Sequence, residues 1–265
     1  MSRLLEGQVA LVTGAGGGIG RGIALRFAEE GAAAVAVHCR TAVRAAGEVA
    51  ARVRELGARS VVLQADLTDE DACRGLVREA AEWGGGRLTA LVNNAGVQPT
   101  QPLDGMTAAD WRAVVDMNLM SVFACTQAAA EVMREQDVDG DGGGDGGGGT
   151  VTHIASIEAS APAPLHAHYS ASKAAVVMHA RSAALEYGPY GIRVNTVSPG
   201  LIDREGLAEA WPEGVRRWRE AAPTGRLGRP EDVGDACVFL ASRLASWVTG
   251  HDLVVDGGVL ARPTW

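Results

Sequence analysis

Short β-branched, apolar runs alternate with longer Ala-rich segments along almost the whole chain. The runs lie at 9–12, 34–38, 60–63, 90–92, 150–154, 193–197 and 252–255. Between them the apolar residues take up helical spacing near 19–30, 43–56, 69–83, 108–135, 169–187 and 230–242. Strands that are apolar on consecutive residues, rather than on alternate ones, are buried on both faces, and that is a property of parallel sheets. Right-handed crossovers then place the helices on both sides of the sheet. The pattern predicts one doubly wound α/β domain over 1–265 with a seven-stranded parallel sheet. These elements use nearly all of the 265 residues, which leaves no room for a second domain.

A net charge of −8 argues against nucleic acid as the main partner, because phosphate binding needs concentrated Lys and Arg. Cys39, Cys73, Cys125 and Cys237 are far apart and form no zinc-type pair, so they read as reduced thiols of a cytoplasmic protein with no metal site. No run of eighteen apolar residues and no leader-like start occur, so no membrane partner is expected.

Directly after the first strand stands "TGAGGGIG", Thr13 to Gly20, followed at once by a helix pattern. A glycine-rich turn that joins a strand to a helix N-terminus suits a pyrophosphate. Backbone N–H groups can approach it where side chains are missing, and the helix dipole adds about half a positive charge. Strand before and helix after is the context that a dinucleotide fingerprint requires.

The spacing is TGxxxGxG. With "ADL" at 65–67, "NNAG" at 93–96, Asn118, Ser156, "YSASK" at 169–173, "PG" at 199–200 and "DGG" at 256–258, the chain resembles the short-chain dehydrogenase/reductase family over nearly its full length. The resemblance implies a Rossmann-type fold and a nicotinamide dinucleotide. It assigns the cofactor to Gly14, Gly18, Ile19 and Gly20, to Asp66 and Leu67, to Asn94, Ala95 and Gly96, to Tyr169 and Lys173, and to Pro199, Gly200 and Ile202. Asp66 would meet the adenine, and "NNAG" would line the adenosine ribose. Asn118, Ser156, Tyr169 and Lys173 would be the catalytic four, with Asn118 holding a water that links Lys173 to solvent. The helices at 108–135 and 169–187 would pair between subunits to give a homo-oligomer, a dimer of dimers.

The end of the second strand, "AVAVHCRT", selects the nucleotide. A carboxylate there would bind a ribose 2′-OH and repel a 2′-phosphate. This chain has none, and Arg40 followed by Thr41 suits a phosphate, so NADP(H) is expected over NAD(H). Gly17 departs from this pattern, since NADP users of the family often carry a basic residue there.

Tyr169 and Lys173, four apart, share one face of a predicted helix. An ammonium about 5 Å from the phenol, at an effective dielectric near 20, stabilises phenolate by ~3 kcal/mol. That predicts a Tyr169 pKa lowered by roughly two units from ~10. Ser156 ends the strand that precedes this helix, at the carboxyl edge where open α/β sheets bind ligands, and its hydroxyl can polarise a carbonyl. Reduction of a ketone to a secondary alcohol is the implied reaction, and a small-molecule carbonyl compound the implied substrate. His153, His166 and His168 lack carboxylate or Cys partners at ligand spacing and read as structural or substrate-lining residues.

On the substrate side, "PGLIDREG" puts Arg204 where the family usually has a Thr that contacts the carboxamide. A backbone group such as that of Ile202 would replace the contact. Residues 201–224 read as a lid of two short helices broken at Pro212. Trp211 and Trp218 of this lid, with Gln98 and Glu158, are the candidate substrate contacts. The resemblance extends to actinobacterial polyketide ketoreductases, including those acting on angucycline-like polycycles. Sugar (glucose-type) dehydrogenases, 3-oxoacyl-carrier-protein reductases and a catalytically silent nucleotide sensor are the alternatives.

The run "DVDGDGGGDGGGG" at 137–149 opens like a calcium loop, with Asp137, Asp139, Asp141 and Gly142 at positions 1, 3, 5 and 6. Position 12 is Gly148 where a bidentate Glu is needed. Eight of the thirteen residues are Gly, and their ordering would cost heavily in backbone entropy. It reads as a flexible insert at the amino ends of the strands, away from the ligand crevice.

Overall fold

The computed structural model describes residues 3–136 and 148–261. Its centre is a seven-stranded, wholly parallel sheet in the order β3-β2-β1-β4-β5-β6-β7. The strands are β1 (Val9–Val12), β2 (Ala34–Cys39), β3 (Arg59–Gln64), β4 (Ala90–Asn93), β5 (Gly149–Ile154), β6 (Ile192–Pro199) and β7 (Asp252–Val255). Helices α1 (Gly18–Glu29), α2 (Val43–Glu55) and α3 (Glu70–Trp83) connect the first four strands. The order reverses between β1 and β4, so a crevice opens at the carboxyl ends of those two strands.

Two apolar cores cover the two faces. One includes Val12, Val35, Val37, Ile23 and Phe27. The other includes Leu11, Leu91, Val151, Cys125 and Met133. Alternate residues of β1, such as Leu11 and Val12, enter opposite cores, which is why the strand is apolar at every position.

The helix expected over 108–135 is interrupted. It runs as α4 (Ala108–Val115), a π-helical turn (Asp116–Met120) and α5 (Ser121–Glu135). Thr107 and Asp110 start it with a reciprocal capping box. This run, Ala108–Glu135, has the length and apolar composition of a membrane span, yet 61% of its apolar window is buried in the domain. After β5 come α6 (Ala167–Tyr187), the pair α7 (Leu207–Ala210) and α8 (Pro212–Ala221), and α9 (Pro230–Ala241). The two short helices are the ones expected from Pro212.

Most of the glycine run, 137–147, lies outside the described residues. Of its last two residues, Gly148 leads into β5 and Gly149 begins it. Gln136 Nε2 donates to the Gly148 carbonyl at 3.0 Å, while its Oε1 accepts from the Leu88 N–H at 3.1 Å. The segment therefore leaves and rejoins the domain at the amino ends of β4 and β5.

Candidate active site

The glycine turn is tied down from three sides. The Asn94 side chain donates to the Thr13 and Gly14 carbonyls at 2.8 and 3.1 Å. The Thr13 hydroxyl accepts from the Asn94 and Ala95 amides at 2.9 and 3.0 Å. On the other side the Gly14 amide donates to His38 Nδ1 at 3.0 Å, which leaves His38 Nε2–H to donate to the Ala65 carbonyl at 3.1 Å. Burial holds the His38 pKa below its usual value and so keeps this neutral tautomer. The Gly14 amide is committed to His38, so Gly14 serves the turn by its φ of 63° and its missing side chain.

The turn fits a dinucleotide. A Cβ on Gly20 would stand 2.4 Å from the Gly14 carbonyl oxygen, so only glycine lets α1 start this close to β1. At Gly18, φ is 49° and a Cβ would meet nothing within 4 Å, so the outer side of the turn is open. Gly17 heads α1 with no side-chain cap on its first turn, next to Ile19. Further along the crevice, Cys39 is buried at the end of β2 and Arg40 and Thr41 are exposed. Asp66 faces them from the end of β3. The Thr68 amide and hydroxyl hold its carboxyl below the usual range, and the Arg40 charge adds to this. Leu67 is buried beneath.

The π-turn explains the amide inside a helix. Asn118 is fully buried and pairs with the main chain of Val97: Oδ1 accepts from its N–H at 2.8 Å, and Nδ2 donates to its carbonyl at 2.9 Å. Nδ2 also reaches Ser172 Oγ at 3.1 Å. An extra residue in the helical turn is what aims this amide at the loop after "NNAG". A Cβ on Gly96 would come within 3.1 Å of Asn118 Oδ1 and 3.6 Å of Lys173 Nζ, so Gly96 lets the loop lie directly over both.

Lys173 is buried and donates to the Ile154 carbonyl at 2.7 Å, with Nζ 5.7 Å from the centre of the Tyr169 ring. Ser156 stands close enough to the Tyr169 hydroxyl to favour its ionised form. Tyr169, Lys173, Ser156 and Asn118 thus converge at the carboxyl end of β5. The expected lowering of Tyr169 is not what this environment produces. Burial pushes the phenol up to about 12, against the influence of Ser156 and with added repulsion from Glu158. Burial also drives Lys173 down to about 8. Desolvation outweighs the Coulomb attraction expected at an effective dielectric near 20.

A family model described as Enoyl-(Acyl carrier protein) reductase matches residues 14–260. The chain is 39% identical over 264 residues to a cis-4-hydroxycyclohexanecarboxylate dehydrogenase of Sinomonas cyclohexanicum, covering 98% of this chain and all of that protein. The chain belongs to the short-chain dehydrogenase/reductase family. Among solved structures, a 7α-hydroxysteroid dehydrogenase with NADH and 7-oxo glycochenodeoxycholic acid superposes with a TM-score of 0.87 at 34% identity, over 97% of both chains. A gluconate 5-dehydrogenase from Burkholderia cenocepacia with NADP and tartrate gives 0.86 at 32% identity, over 99% of both.

In this short-chain dehydrogenase/reductase the surroundings of Tyr169 carry a polar cluster. Gln98 Nε2 donates to Glu158 Oε1 at 2.9 Å, and Ser170 Oγ donates to Oε2 at 3.1 Å. His166 Nδ1 lies 3.1 Å from both carboxylate oxygens. Gln98 and Glu158, sixty residues apart, are therefore in direct contact, and Ser170 completes the group. The three histidines separate. His153 is buried between Asn93 and His179, whose Nδ1 is 3.3 Å from its Nε2. His168 is fully buried, with Nδ1 accepting from the Tyr169 amide.

Pro199 ends β6. Gly200 follows, and a Cβ there would collide with Trp218 at 2.6 Å and with Asp256. Trp218 packs with Leu201, Leu207, Val215 and Leu227, so it anchors α8 to the carboxyl edge of the sheet. Trp211 is 54% exposed and lies over Gly214. Ile202 bridges to Gly228, and Arg204 is exposed. His38 and His179 carry no motif signal, because their partners sit on other elements.

Proposed function

We propose that this enzyme is an NADP(H)-preferring oxidoreductase that interconverts a ring-borne secondary alcohol and its ketone. The convergence of Ser156, Tyr169 and Lys173 at the crevice carries the reading. When bound, the nicotinamide supplies the hydride acceptor for oxidation and the donor for reduction. In the oxidative direction Tyr169 as phenolate takes the carbinol proton while the C–H electron pair leaves as hydride. In reduction the phenol returns the proton to the developing alkoxide. Ser156 donates a hydrogen bond to the same oxygen and positions it. Asn118 holds the 96–97 loop over Lys173, on the side from which Lys173 exchanges protons with solvent.

NADP(H) preference rests on Arg40 and on the lack of a carboxylate at the end of β2. Gly18, Ile19 and Gly20 hold the pyrophosphate on the turn that Gly14 shapes. Asp66, Leu67, Asn94, Ala95 and Gly96 hold the adenosine, and Pro199, Gly200 and Ile202 border the nicotinamide. Residues 201–224 form the substrate lid. The related cis-4-hydroxycyclohexanecarboxylate and 7α-hydroxysteroid dehydrogenases are named for ring alcohols, which supports a cyclic substrate. A polycyclic polyketide ketone falls within that class. An acyl-carrier-protein substrate is the second reading, favoured by the family model's description. It is weakened because the lid's Arg216 pairs with Glu213 and Glu220, and Arg226 pairs with Asp232, so these charges are neutralised.

Exposed Trp111, Met120, Phe123, Met178 and Leu185 on α4, the π-turn, α5 and α6 give the proposed subunit contact its apolar surface. Sedimentation as a monomer alone would contradict it. The function is tested by turnover of cyclohexanol-type alcohols with NADP+ and of ring ketones with NADPH. Nucleotide binding without turnover across such a panel supports the sensor reading instead.

A further inference from the structure

The polar cluster beside Tyr169 has more organisation than a pocket rim needs. Glu158 sits two residues after Ser156, and its amide donates to Ser156 Oγ at 3.1 Å, so its position is tied to the proposed catalytic serine. Its carboxylate is nearly closed to solvent, with 13% of the side chain exposed, and that of His166 is 16% exposed. Gln98, Ser170 and His166 saturate it with donors from three separate segments. Such a buried carboxylate accepts only, so the proton of His166 Nδ1 must point toward it. Nε2 is then the ring nitrogen left without a partner among the described residues. The ring stands edge-on to Tyr169, with centroids 6.0 Å apart.

We propose that His166, oriented by Glu158 and Gln98, is a specificity-determining residue whose Nε2 hydrogen-bonds a second hydroxyl of the substrate, on a carbon next to the one oxidised. This inference rests on the proposed alcohol–ketone reaction and narrows its substrate class to neutral cyclic diols and polyols. A hydroxyl can meet Nε2 as donor or as acceptor, which an ether or a second ketone cannot do. The adjacent Glu158 charge repels a substrate carboxylate at close range. The cluster therefore does two things: it selects for a hydroxyl and against an anion.

The experiment compares kcat/KM for 1,2-cyclohexanediol, cyclohexanol and 4-hydroxycyclohexanecarboxylate with NADP+ and NAD+. It uses the wild type, Glu158→Gln, His166→Gln and His166→Phe. The wild type is expected to favour the diol over cyclohexanol by about tenfold or more, mainly through KM. His166→Phe should lose that ratio, and His166→Gln, which keeps an acceptor, should recover part of it. Glu158→Gln should raise the relative rate with the carboxylated alcohol by about tenfold. A second readout separates position from mere structure. Tyr169 is faced by Lys173 on its own helix, by Glu158 on the turn after β5 and by His166, and Glu158 is the anion among them. Its neutralisation should move the rising limb of the oxidation profile, on which Tyr169 loses its proton, to lower pH. Equal use of diol and cyclohexanol by the wild type, or a ratio unchanged in His166→Phe and Glu158→Gln, overturns the subsite while leaving the reaction standing. Absence of turnover with every alcohol and both nucleotides overturns the reaction itself. Should His166→Phe fail to fold, the near-isosteric Glu158→Gln and His166→Gln still decide.

Discussion

Lys173 Nζ donates to the Ile154 carbonyl at 2.7 Å while it stands 5.7 Å from the centre of the Tyr169 ring. The ammonium is anchored to the end of β5 and held beside the phenol rather than bonded to it. Both groups are penalised by burial, Lys173 down to about 8 and Tyr169 up to about 12. The protein by itself holds the proton on the tyrosine. The positive charge of an oxidised nicotinamide is the kind of addition that would favour its release.

Buried Lys173 makes stability depend on pH. Its pKa is about 8 when folded, against the usual 10.5, so between those values the unfolded chain binds the extra proton and the lysine's penalty is relieved as pH rises. Cys39 and Cys237, pushed up by burial, act in the opposite sense, so the readout is a difference between proteins. From pH 8 to 10 the wild type should gain about 1–2 kcal/mol relative to Lys173→Met in urea unfolding. A constant difference would show that Lys173 is not desolvated.

Arg40 is exposed at the mouth of the crevice, within Coulomb range of Asp66. A charge-assisted bond to a 2′-phosphate contributes roughly 1.5–3 kcal/mol. Arg40→Ala should lower the NADP+/NAD+ ratio of kcat/KM by about 10- to 100-fold. An unchanged ratio removes Arg40 from nucleotide selection.

Gly17 and Gly20 stand in the same turn under different constraints. A Cβ on Gly20 would meet the Gly14 oxygen at 2.4 Å, whereas one on Gly17 would meet nothing within 4 Å, at a φ of −176° open to any residue. Gly20→Ala should destabilise the ligand-free protein by about 1–3 kcal/mol, and Gly17→Ala by less than about 0.5. Thermal melts that rank the two alike would contradict the packing described.

His38 links the glycine turn to β3. His38→Leu strands the Gly14 N–H and the Ala65 carbonyl, at about 1–3 kcal/mol each. Because its folded pKa is depressed, wild-type stability should also fall as pH drops below 6.5, and the Leu variant should lose that part of the slope. A variant as stable as the wild type would mean that water satisfies both groups.

The sheet was legible because inner strands such as β1, β2 and β4 are too apolar to sit anywhere but between two helical layers, and the less buried edge strands β3 and β7 still carry short Val/Leu runs. Observed ends differ from expected ones by one or two residues, as at β6, where Ile192 and Pro199 extend the run. Pro212 announced the break between α7 and α8. The π-turn was not legible: "DMNLM" is ordinary helical sequence, and the extra residue exists because Asn118 pairs with Val97 across the fold. The same holds for His38 with Gly14 and for Glu158 with Gln98, since contacts between distant segments leave no local pattern. The Tyr169 expectation failed for another reason: spacing reports distance to Lys173 but not how dry the site is.

In the proposed reaction Tyr169 exchanges the substrate proton during hydride transfer. Its most direct test is single-turnover reduction of a ring ketone by bound NADPH in the wild type and in Tyr169→Phe, with NADPH affinity measured in parallel. The rate is expected to fall by about 10²–10⁴-fold in the Phe variant, with nucleotide affinity within a few-fold. Equal rates, or no oxidation of bound NADPH by any ring ketone in the wild type, would contradict it.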